Sequence, residues 1–163
     1  MPQAVTPHDY LRAFCHAAEA ILKKLVREPV TRGGPLVQLG GLHPAQAVNV
    51  VVGITGGACS QVSFAMTPGT ARWIASRMTG KDVLELDEMA LSAVRELSNI
   101  IAGTALSYLV GVGERMDLTP PSLTIGEPAS ACGQPPQAMT VPFRFHDWGS
   151  FFVTVGLRKG EEP

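Results

Sequence analysis

The chain has 163 residues, 45% of them apolar and 17% charged, and its net charge is -1. That length and apolar content suit one domain, 1–163, with a substantial core, and the slight shortage of charge leaves room for an apolar subunit interface. A balanced charge without a basic run excludes nucleic-acid binding by phosphate neutralisation, and no apolar stretch approaches the roughly 18 residues of a membrane span.

The opening segment, MPQAVTPHDYLRAF, has no basic region followed by an apolar run and so does not read as a secretory signal. Three scattered cysteines, Cys15, Cys59 and Cys132, form no Cys-x-x-Cys pair and point to reduced thiols in a cytoplasm. A first helix is predicted over 8–27, where Tyr10, Leu11, Phe14, Ala18, Ile21, Leu22 and Leu25 recur at helical spacing and Glu28-Pro29 ends the run. Residues 31–41, with Gly33-Gly34-Pro35, predict a turn and an irregular strand. Two β-rich runs, 47–55 and 60–66, flank Gly56-Gly57-Ala58-Cys59 and predict a hairpin. Thr67-Pro68 is a cap followed by a first-turn proline, opening a helix that Thr79-Gly80 closes.

A third helix is predicted over 87–110, with Asp87 and Glu88 at the positive end of its dipole. After the stiff Thr119-Pro120-Pro121 break come strands at 122–125, 138–145 and 150–157, the last two joined by a tight turn, His146-Asp147-Trp148-Gly149. A surface loop rich in Pro, Gly, Ala and Ser fills 126–137. A long helix followed by three strands therefore occurs twice. The pattern predicts a pseudo-duplicated α+β domain with two long helices packed on an antiparallel sheet.

Within the third helix Ser92, Glu96, Asn99 and Gly103 fall four, three and four residues apart, inside an arc of about 60°. Ala90, Leu91, Ala93, Val94, Leu97, Ile100, Ile101, Ala105, Tyr108 and Leu109 are expected to cover the rest. An exposed helix face is ordinarily filled with Lys, Glu, Gln or Ala. Asn costs several tenths of a kcal/mol relative to Ala and Gly roughly 1. Glycine also lowers the surface, which lets another molecule approach the helix. The plainer reading is a polar face that meets only water.

Little else in the chain assembles chemistry. His8, His16, His43 and His146 stand alone, without the spacing of a metal site. Gly53 to Gly57 lacks the Gly-Lys-Ser/Thr ending of a phosphate loop, and Ser60 lies outside any Gly-x-Ser-x-Gly turn. Trp73 and Trp148 are expected to fill core or rim, and Cys15 and Cys59 to be buried and inert.

The run MTGKDVLELDEMALSAVRELSNIIAGTALSYL, residues 78–109, resembles the signature segment of the CheC/CheX/FliY family of response-regulator phosphatases. The pattern Ser/Asp-x-x-x-Glu-x-x-Asn-x-x-x-Gly falls on Ser92, Glu96, Asn99 and Gly103. Arg32-Gly33-Gly34-Pro35, GITGGACSQVSFAM, LTPPSLTIG and VPFRF are similar to the CheX branch, so the resemblance covers nearly the whole chain.

The resemblance implies a CheC-like fold and a cytoplasmic phosphatase that docks on a phosphorylated CheY-like receiver domain. It implies that Asn99 orients the attacking water, that Glu96 pairs with the receiver's active-site lysine, and that Ser92 and Gly103 shape the strip for docking. No metal or cofactor of the chain's own is expected, the Mg²⁺ belonging to the receiver. Glu19 is followed three residues later by Leu22 rather than Asn, so one site per chain is expected, as in the CheX branch, which is homodimeric. A second expectation stands beside this one: a non-catalytic, receiver-binding or flagellar-switch-like scaffold on the same fold.

Overall fold

The computed structural model describes residues 5–39, 47–110, 115–126, 137–158 and 160, and among them are three helices and eight strands. His43, Cys132 and the 127–136 part of the predicted loop lie outside the described residues. Helix α1 (Pro7–Val26) starts on a capping box: Asp9 N–H donates to Thr6 Oγ1 at 3.2 Å, and Thr6 N–H donates to Asp9 Oδ2 at 2.8 Å. It ends at Arg27, whose left-handed φ of 56° turns the chain toward Glu28-Pro29.

Accepting from the Thr6 backbone N–H and also from its hydroxyl, the Asp9 carboxylate is held below the usual carboxylate range. A depressed folded value means that this stabilisation is complete above the unfolded Asp range of about 4 and drains away as pH falls through the folded value. Thr6→Ala is therefore expected to cost about 1 kcal/mol at neutral pH. Urea unfolding at pH 7 and pH 3 checks it: the difference between the two proteins should shrink at the lower pH.

The strands pair antiparallel throughout. They are β1 (Val30–Arg32), β2 (Leu36–Leu39), β3 (Val48–Thr55), β4 (Cys59–Met66), β5 (Asp117–Leu118), β6 (Ser122–Ile125), β7 (Gln137–Phe145) and β8 (Gly149–Leu157). The sheet runs β1-β7-β8-β4-β3-β5, with β2 also on β7 and β6 also on β3. The repeat expected from the sequence is thus present, and its halves interlock: β4 and β8 meet at the centre, and each half lends its leading strands to the other half's edge. The single irregular strand expected over 31–41 is two short strands sharing one partner, and β5 is an additional two-residue pairing with Ile54 and Thr55.

Alternation along the strands gathers the core. Val48, Val50 and Val52 of β3, Val62, Phe64 and Met66 of β4, Met139, Val141 and Phe143 of β7, and Phe151, Val153 and Val155 of β8 are all buried. They form one cluster with Tyr10, Phe14 and Leu22 of α1 and with residues of helix α3 (Glu88–Val110). Helix α2 (Pro68–Thr79) opens on Thr67, which caps Thr70 N–H at 3.2 Å, and closes on Gly80 at φ 72°. Its Arg77 Nε donates to the Val26 carbonyl at 2.7 Å, satisfying an orphan acceptor at the end of α1.

Two turns need glycine. In the β3–β4 turn Gly56 has φ 84°, and a side chain there would collide with the Arg115 carbonyl. The Arg158 guanidinium steadies the same turn through the carbonyls of Gly57, Ile54 and Cys59 at 2.9, 3.2 and 3.3 Å. In the β7–β8 turn Gly149 has φ 89° and packs against Thr70, whose hydroxyl donates to the Trp148 carbonyl at 2.7 Å. Trp148 then stacks on Trp73 at 5.4 Å, one tryptophan at the rim and one in the core, as composition led one to expect.

Candidate functional site

Asp87 starts α3: its Oδ1 accepts from Ala90 N–H at 2.9 Å, and its carbonyl accepts from Leu91 N–H at 3.0 Å. Ala90 and Ala93 pack with Ala75 of α2, while Val94, Leu97, Ile101, Ala102 and Ala105 enter the main core. Helix α3 is thereby clamped between α1 and α2 over the sheet, and one narrow face remains outside.

That face carries the predicted quartet. Ser92, Glu96, Asn99 and Gly103 are all exposed. The side chains of Ser92, Glu96 and Asn99 form no hydrogen bond or ion pair with any described residue. A Cβ at Gly103 would meet nothing within 4 Å, and its backbone is ordinary helix, so neither packing nor conformation calls for glycine there. The helix carries a residue costing about 1 kcal/mol relative to alanine with no compensation inside the protein.

The strip has edges that the sequence reading did not name. Met89, three residues before Ser92, continues the arc and is 43% exposed. Arg95 Nη1 pairs with Glu88 Oε1 at 3.1 Å along one flank. Ser98, absent from the predicted apolar cover, is fully buried and returns its hydroxyl to the Val94 carbonyl at 3.0 Å. Tyr108, expected to be covered, is 45% exposed and meets His16 of α1 edge-on at 5.3 Å.

The chemistry available on this face is narrow. Glu96 and Asn99 rise about 4.5 Å apart along the axis and point the same way, so one object can meet both. An amide can hold a water by donating and accepting, and a carboxylate can receive a cation. Among the described residues no group of three or more His, Cys, Asp or Glu is arranged to hold a metal, and no helix is long and apolar enough to cross a membrane.

Comparison with known proteins gives a consistent picture. Residues 48–144 match the model of the family described as chemotaxis phosphatase CheX, a span that includes the whole strip. The CheY-P phosphatase CheX of Thermotoga maritima is 38% identical over 77 residues, covering 47% of this chain and 50% of that protein, so the match spans half of the relative's length. A CheX–CheY complex with BeF3 and Mg²⁺ from Borrelia burgdorferi has a chain that superimposes with TM-score 0.79 at 28% identity, over 92% of this chain and 98% of that one. A chemotaxis protein CheX from Desulfovibrio desulfuricans superimposes with TM-score 0.77 at 24% identity, over 91% of this chain and 99% of that one.

Proposed function

Since this chain belongs to the chemotaxis phosphatase CheX family, within the CheC/CheX/FliY group, we propose that it hydrolyses the aspartyl phosphate of a CheY-like receiver domain. The observation that carries this reading is the unengaged pair Glu96 and Asn99 on an exposed helix face, beside a glycine that leaves the approach open. A relative of the same fold captured with CheY, BeF3 and Mg²⁺ supports the choice of partner.

An acyl phosphate is already activated, and its hydrolysis needs chiefly a water held in line with the breaking P–O bond. In this reading the Asn99 amide holds that water, and Glu96 pairs with the receiver's active-site lysine. Ser92 and Gly103 keep the surface low. The Mg²⁺ that neutralises the phosphoryl oxygens is the receiver's own. The protein works in the cytoplasm as a homodimer with one such site per chain.

Mixing the chain with a Mg²⁺-bound receiver labelled by acetyl phosphate and following phosphate release tests the reading. Faster decay than the receiver alone is expected. Unchanged decay across all receivers of the host, with equal binding of the phosphorylated and unphosphorylated forms, would favour a scaffold instead. Glu96→Ala is expected to raise KM by about tenfold, the worth of one charge-assisted contact, with a smaller effect on kcat.

A further inference from the structure

We propose that a second site, between α1 and the β1–β2 connection, binds a small phosphate-bearing anion. A hollow of about 400 Å³ is lined by His8, Arg12 and Cys15 of α1, by Arg32 and Gly33 at the end of β1, and by Val141 of β7. Its volume lies in the range of small-molecule sites. No lining residue comes from α3, so the proposal stands apart from the phosphatase reading.

Charge carries the argument. Arg12 and Arg32 are exposed, neither forms an ion pair with a described residue, and no carboxylate is among the described residues lining the hollow. Two nearby acids offset this charge only in part: Asp9, which feels Arg12, is held chiefly by the Thr6 N–H and hydroxyl, each at 2.8 Å, and Glu19, which feels Arg32, chiefly by Lys23 at 2.9 Å. Four other arginines have internal partners, Arg77 and Arg95 in ion pairs and Arg72 and Arg158 on backbone carbonyls, whereas Arg12 and Arg32 share one hollow without such a partner among the described residues. With two arginines lining one hollow, like charges gather there and an anion is favoured.

The hollow is also held in shape. His8, Arg12 and Cys15 are four and three residues apart and share one face of α1. Gly33 N–H donates to the Pro142 carbonyl at 2.8 Å, and a Cβ at Gly33 would sit 2.7 Å from Pro142 Cγ, so glycine alone fits this close approach next to Arg32. Burial pushes the Cys15 thiol up to about 11 against the opposing influence of the nearby Arg32 guanidinium, so the floor adds no negative charge. The Arg32-Gly33-Gly34-Pro35 run gains a role here: it aims one guanidinium at a pocket whose other guanidinium comes from α1. Guanidinium forks match phosphate oxygens in bidentate geometry, and two of them favour a dianion over a monocarboxylate.

Isothermal titration of the full chain at constant ionic strength, with inorganic phosphate, glycerol phosphate and acetate as separate probes, tests the site. One phosphate-type ligand per chain is expected, held at least about tenfold more weakly by Arg12→Gln or Arg32→Gln, as loss of one charge-assisted contact implies. Lys24→Gln should leave it unchanged. Tighter binding of glycerol phosphate assigns an organic ester, and tighter binding of inorganic phosphate assigns the free ion. No binding of either up to tens of millimolar, binding that survives both arginine changes, or acetate bound as well as phosphate would overturn the proposal.

Discussion

Replacing Asn99 with alanine is expected to return receiver dephosphorylation to near its spontaneous rate, a loss of about 100-fold or more, the scale of misplacing a reacting group. The amide hydrogen-bonds no described residue, so its loss removes no internal hydrogen bond. Alanine is also the better helix former by several tenths of a kcal/mol, so thermal stability should hold or rise slightly. Single-turnover phosphate release, read beside a melting curve, separates the two effects. A variant with full activity would remove Asn99 from the mechanism while leaving the family assignment intact.

Gly103→Leu should move stability and activity in opposite directions. The added side chain enters open space on α3, and the gain in helix propensity is expected to raise stability by about 0.8 kcal/mol. The same side chain projects into the path of a partner docking on the strip. A fall in kcat/KM of about tenfold or more, mostly through KM, is expected from wedging a packed contact apart by even one leucine. If the variant were stabilised and fully active, the receiver would have to approach from another direction.

The strip was legible because propensity fails there: on a solvated helix face, Asn and Gly lack a local justification, and the structure adds none. Ser98 was not legible, since a serine that returns its hydroxyl to its own helix looks in sequence like one that meets water. Tyr108 was read as core because it is large and keeps the helical period, yet it lies beside His16 at a half-open edge of the α1–α3 pair. Most strands could be read from alternation and turn chemistry. Their partners could not, because the attachment of β1 and β2 to β7 is non-local, and β5 is too short to leave a periodic trace. For the same reason Arg12 and Arg32 share no local pattern. The fold brings them to one hollow.

The exchange of edge strands between the halves governs how the chain can reach this structure. Val30 must wait for Phe145, a partner that lies most of the chain length away, and Val48 must wait for Ile125. Closing such distant pairs puts the entropy-costly steps late in assembly, so folding should be slow for a domain of this size. A cut between α2 and α3 would therefore yield two fragments with unpaired sheet edges rather than two autonomous modules. The helix that presents Glu96 and Asn99 rests on β3 and β6, one strand from each half, so its footing exists only once the two halves have exchanged edges.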